Sequence, residues 1–131
     1  MNLSVFFKSI IDNDIAPIVV CNTKHEIIYM NPTAIKRYAK RGGAKLIGKS
    51  LLDCHNADSN DKIKAVVSWF SESPENNRIF TFHNPKENKD VYMIALRDGD
   101  NSLIGYYEKH EYRDTEKSHP YSDICHKESD R

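Results

Sequence analysis

Residues 17–32 constrain this chain more than any other stretch. Two short apolar runs rich in β-branched residues, 17–21 and 26–30, flank the polar segment Asn22-Thr23-Lys24-His25. Runs of this kind on either side of a turn pair as a hairpin. The second run stops at Asn31-Pro32, where a helical spacing of apolar residues begins. Asn is a good helix N-cap, and Pro suits the first helical position because its missing N–H is not needed there. Ala34, Ile35, Tyr38 and Ala39 form the apolar stripe of that helix. Gly42-Gly43 ends it, since Gly tolerates the left-handed conformation at a helix C-terminus.

The same patterns order the rest of the chain. Leu3, Phe6, Phe7 and Ile10 fall at helical spacing with Ile11 beside them, which predicts an amphipathic helix within residues 1–14. Residues 46–55 read as an irregular stretch with apolar Leu46, Ile47, Leu51 and Leu52. Asp58, Ser59 or Asn60 is then expected to cap a helix. Ile63, Val66, Val67 and Phe70 fill its i, i+3, i+4, i+7 face, and Trp69 widens that face. Pro74 and Glu75-Asn76-Asn77 close it. Strands are predicted over 78–83, 91–97 and 102–112, the last two joined by the tight turn Asp98-Gly99-Asp100-Asn101. From Arg113 the chain is polar apart from Tyr121 and Ile124, so 114–131 reads as a loosely ordered tail. Helices and strands do not alternate, which points to an α+β fold on an antiparallel sheet of five strands.

A chain of 131 residues is one domain of ordinary size. Its 19 acidic residues balance its 19 Lys and Arg, which argues against a general affinity for nucleic acid. The basic cluster Lys36, Arg37, Lys40, Arg41, Lys45 and Lys49 reads as a solvated helix face. There is no apolar run of about 18 residues to span a membrane and no convincing signal peptide. Three irregularly spaced cysteines, Cys21, Cys54 and Cys125, read as reduced thiols of a cytoplasmic protein. Met1 and the polar tail favour a complete small protein. No Gly-rich phosphate loop, Ser-His-Asp-like order or metal-ligand helix is present, so the chain is not expected to be an enzyme.

Four stretches, taken in order, resemble a PAS domain: 18–31 its first hairpin and following Asn, 46–52 its Leu-Ile-Gly-Lys step, 58–70 its long covering helix, and 91–112 its last hairpin. The likeness extends over about residues 9–113, with the PAS-like body at 15–113. It implies a five-stranded sheet of order 2-1-5-4-3 with helices on one face and a pocket between the layers. It also implies dimerisation through the N-terminal helix, which would make Leu3, Phe6, Phe7 and Ile10 the dimer interface. Members of this family usually signal to an output domain, here a separate protein partner. The expected function is therefore a cytoplasmic sensor that binds a small molecule and signals through dimer or partner contacts. A ligand-free interaction adaptor and a haem-binding sensor are the alternatives.

By resemblance, Cys54-His55 borders the pocket. Either side chain could make a polar contact to a ligand or ligate a haem iron, and the pair could equally be a plain turn. Strand alternation leaves open which sheet side faces inward. Phe80, Phe82, Tyr92, Ile94 and Tyr106 are taken as the lining, with tyrosine hydroxyls for a polar ligand group. The family's flavin adduct requires Asn before the reactive Cys and Arg-Phe-Leu-Gln after it. Asp53 and His55-Asn56-Ala57 stand there instead, so only a flavin without an adduct stays open. No cofactor is identified. His119, Cys125 and His126 could join Cys54-His55 around a metal, but their spacing matches no zinc pattern.

Overall fold

The computed structural model describes residues 1–124; Cys125 and His126, and the end of the predicted tail, lie outside them. Five strands, β1 (Val19–Asn22), β2 (Ile27–Met30), β3 (Arg78–Asn84), β4 (Lys89–Arg97) and β5 (Leu103–Tyr112), form one sheet. Its order is β2-β1-β5-β4-β3, as expected, and every neighbouring pair is antiparallel. The helices are α1 (Leu3–Asp12), α2 (Pro32–Arg37) and α3 (Ala57–Glu72). Three 3-10 turns, Ala39–Arg41, Gly43–Leu46 and Leu51–Cys54, connect α2 to α3.

Alternation along the strands decides what is buried. On β4, Lys89, Val91 and Met93 face the helices, whereas Tyr92 and Ile94 are on the other side. The core joins Cys21, Ile27, Met30, Met93 and Tyr106 of the sheet to Ala34, Leu46, Val67 and Phe70 of the covering layer. The central strands β1 and β5 meet so closely at Gly105 that a Cβ there would lie 2.1 Å from the Cys21 carbonyl oxygen.

Asn31 fixes the entry to this core. It is fully buried, and its Oδ1 accepts from the N–H groups of Ile18 and Ala34, both at 2.9 Å. Its amide donates to the carbonyls of Ile11 and Ala16, both at 3.0 Å. It therefore caps α2, as expected, and also holds the end of α1 and the start of β1. Tyr29 links to α1 as well: its hydroxyl is hydrogen-bonded to Asp12, and the Lys8 ammonium lies 5.6 Å over its ring. No residue of α1 is buried, and Leu3, Phe6, Phe7 and Ile10 are each more than half exposed.

Two local expectations need correction. The cap of α3 is Asn56, whose Oδ1 accepts from the Ser59 N–H at 2.8 Å. Asp58 and Ser59 lie within the first turn, and Asn60 instead turns back to donate to the Leu52 carbonyl. The helix after Asn31 stops at Arg37 and tightens into 3-10 turns, with Gly42 and Gly43 in positive-φ conformations. The tight turn at 98–101 joins β4 to β5 as expected; the Asp98 carboxylate accepts from the N–H groups of Asp100 and Ser102, and Asn101 is its left-handed residue (φ 63). No helix among the described residues is long and apolar enough to cross a membrane.

A cavity between the sheet and the helices

The inner sheet face and the covering layer leave a cavity of about 120 Å³ between them. Its apolar wall comes from Val19 and Cys21 on β1, Ile27 and Met30 on β2, and Met93 on β4. Leu51 and Ile63 close it from the helical side. Its polar wall is built by β5, where alternation brings Tyr106, Glu108 and His110 to the same face. Tyr38, Arg41, Cys54 and His55 complete the lining from the segment between α2 and α3.

Several of these groups are already satisfied. The Tyr106 hydroxyl is hydrogen-bonded to His25 Nδ1 at 2.9 Å, with the two rings edge to face. Burial, then the Cys21 thiol, push the Tyr106 phenol well above its ordinary range. Burial also lowers the pKa of His25 and raises Cys21 to about 11. Cys21 is thus a neutral thiol, the form that is neither nucleophile nor metal ligand. Tyr38 is held up by burial first and by the Glu108 charge second, while the Arg37 and Arg41 charges pull it down. Tyr38, Arg41 and Glu108 all line the cavity. His55 Nδ1 is 3.0 Å from the Leu51 carbonyl oxygen, and an Arg41 N–H donates to the Cys54 carbonyl at 3.3 Å.

His110 is different. Its side chain is 6% exposed, and its Nε2 stands 3.4 Å from a Glu108 carboxylate oxygen. Its Nδ1 is buried and has no hydrogen-bond partner. Leaving a buried polar atom unpaired costs about 1–3 kcal/mol.

Of the side chains expected at the site, Cys54, His55 and Tyr106 line the cavity. Phe80, Phe82, Tyr92 and Ile94 do not, which corrects the assignment of the inner face. The register pairs Met93 with Glu108 and Ala95 with Tyr106, so Tyr92 and Ile94 point away from the helices. Phe80 pairs with Tyr92 and is 55% exposed; Phe82, beyond a register shift on the edge strand, is 49% exposed. On that outer face the Phe80 and Tyr92 rings are 5.6 Å apart, the Arg78 guanidinium lies 4.0 Å over Tyr92, and Arg113 donates to the Tyr92 hydroxyl. Neither tyrosine hydroxyl is therefore a free ligand contact. Sequence reasoning missed Arg41, which was absorbed into the solvated basic cluster, and Tyr38, which reads as helix core. Glu108 and His110 carried a signal in their period-2 spacing from Tyr106.

A haem or flavin does not fit the cavity as it stands. Benzene fills a cavity of about 150 Å³, and pockets for drug-sized molecules run to about 300–1,000 Å³. A porphyrin or a tricyclic flavin ring exceeds the space present. Among the described residues no group of three or more His, Cys, Asp or Glu is placed to hold a metal ion.

Residues 15–121 match the family model described as the PAS domain. No curated protein matches the chain by sequence. Among solved structures, the chain is similar to the PAS domain of a protein from Colwellia psychrerythraea, with 13% identity and a TM-score of 0.63 over 86% of this chain and 98% of that one. It is similar to the PAS domain of BvgS from Bordetella pertussis, with 17% identity and a TM-score of 0.58 over 98% and 96% of the two chains. It also resembles the Aer2 receptor of Vibrio cholerae, a dual PAS–haem oxygen sensor, at 18% identity and a TM-score of 0.51 over 72% and 90%. At these identities the likeness is one of fold.

Proposed function

Because the chain belongs to the PAS domain family, we propose that it is a non-catalytic sensory module of the cytoplasm. A small molecule enters the cavity between sheet and helices, and its arrival is passed on through contacts made by α1. The observation that carries this reading is the cavity itself: an apolar pocket walled on one side by the charged groups Arg41 and Glu108. Apolar enclosure with a few convergent polar groups is the usual make-up of a ligand site. A ligand-free adaptor would be better served by a filled core. The free thiols Cys21 and Cys54 accord with a reducing compartment.

The output side rests on α1. Leu3, Phe6, Phe7 and Ile10 make one seam along the helix, spaced as in the a/d stripe of a two-helix pair. A second copy of α1 is the occupant with the same spacing. Native mass spectrometry and sedimentation of the freshly purified protein test both halves. The wild type should sediment as a dimer and Phe6→Ser/Phe7→Ser as a monomer. Ile63→Trp, which fills the cavity, should lose any bound small-molecule mass. A monomeric wild type removes the dimer, and a protein that takes up no small molecule in metabolite extract removes the sensor.

A further inference from the structure

We propose that the cavity takes a compact carboxylic acid of about benzene's size, its carboxyl group bonded to His110 Nδ1 and facing the Arg41 guanidinium. This rests on the reading of the cavity as a ligand site and names the chemistry of what enters it. Size sets the first limit. The space of about 120 Å³ is slightly less than the cavity that holds benzene, so the body of the ligand is a short aliphatic chain or a single small ring. Val19, Met30, Ile63 and Met93 offer that body only apolar surface.

The head group follows from what is left unpaired. His110 is buried against Glu108 through Nε2, which leaves Nδ1 as the orphaned position. Arg41 spends one N–H on the Cys54 carbonyl and has no carboxylate partner among the described residues. An alcohol would satisfy His110 but gain nothing from the Arg41 charge, which is exposed and hydrated without a ligand. An amine would meet Glu108 but be repelled by Arg41. A carboxyl group answers both: one proton is shared between it and Nδ1, and its negative charge faces the guanidinium, while the Glu108 carboxylate that would repel it is turned to the other ring nitrogen and is 44% exposed to solvent. Glu108 on the far side of the imidazole then orients the ring. Arg–carboxylate contacts are among the stronger hydrogen bonds a site can offer.

Isobutyrate, isobutanol and isobutylamine share one carbon skeleton and differ only in the head group, and a ¹H–¹⁵N NMR titration of the full chain compares them. Isobutyrate should shift the Val19, Cys21 and Met93 amides saturably, binding at least about tenfold more tightly than the other two. Arg41→Gln, an exposed position that leaves the core untouched, should weaken isobutyrate about tenfold and leave isobutanol unchanged. His110→Gln should weaken isobutyrate as well. Equal or tighter binding of the amine or the alcohol would overturn the acid while keeping the cavity as a ligand site. If none of the three moves the lining amides, the acid and the sensor reading fall together.

Discussion

Asn31 uses all four hydrogen-bonding positions of its amide without exposing any surface. Replacing it with Ala removes a helix cap and takes the side-chain partner from two backbone N–H groups and the Ala16 carbonyl, while the Ile11 carbonyl keeps the Asp14 N–H. Asn31→Ala should cost about 3 kcal/mol, the sum of a lost cap and newly unpaired buried groups. Urea unfolding followed by the fluorescence of Trp69, the single tryptophan, measures it; a loss below about 0.5 kcal/mol would show that water replaces these bonds. Gly105 makes the opposite kind of demand. In an ordinary strand Gly→Ala gains about 0.5–1 kcal/mol from backbone entropy. Here the added methyl would press on the Cys21 carbonyl at 2.1 Å. Gly105→Ala should therefore lower stability by about 3 kcal/mol, seen as a fall in Tm of roughly 10 °C. An unchanged Tm would mean that β1 and β5 separate at little cost.

α3 is secured at its ends as much as along its buried face. Asn56 caps the start. At the other end the side chain of Arg97 crosses from β4, and its Nη2 donates to the carbonyls of Phe70, Ser73 and Asn76 at 2.7, 3.0 and 3.1 Å. Its Nε donates to the Asn77 side chain at 2.7 Å. The last carbonyls of a helix have no partners within it and carry its negative dipole end, so a guanidinium satisfies both needs. Lysine keeps the charge but cannot span these acceptors as a planar fork. Arg97→Lys should cost about 1–2 kcal/mol and speed amide exchange in residues 70–77 more than elsewhere. Uniform exchange across α3 would place the loss in the sheet instead. α1 stands in contrast: it is held at its C-terminal end by Asn31 and Tyr29, and its apolar seam faces away from the fold.

An ion network ties the covering layer to the sheet. Arg37 of α2 makes two hydrogen bonds to Glu87, at 2.8 and 2.6 Å, and Glu87 lies 3.2 Å from the ammonium of Lys89, which is 2% exposed. Hydrogen bonding to Arg37 first, then the nearby Lys89 ammonium, holds the Glu87 carboxyl down to about 2. Its folded pKa lies below the unfolded value, so its contribution is fully present above pH of about 4.5 and is lost as pH falls toward about 2. Asp90 and Glu111, depressed mainly by Arg113 and Arg78 respectively, act in the same direction. Glu87→Gln leaves Lys89 buried without its counter-charge, a change that costs about 3–5 kcal/mol for a buried pair. Thermal unfolding should show that deficit at pH 7 and show it shrinking toward pH 2. A deficit that stays constant with pH would place Glu87 outside the linkage.

The helical seam of α1, the capped start at Asn31-Pro32, the apolar face of α3 and the strand order were all legible in the residues, the last through family resemblance. Periods of 3.6 and 2, helix caps and turn residues act between neighbours in the chain, so their signals survive without a structure. The inner face of the sheet was not legible. It depends on the register that sets Met93 beside Glu108 and turns Tyr92 outward, and register is fixed by pairing strands against the core. The reach of Arg97 to α3, the donors of Asn31 and the isolation of His110 Nδ1 have the same origin. Each joins residues that only folding brings together, and each depends on the free energy of burying polar groups, which the order of residues does not display.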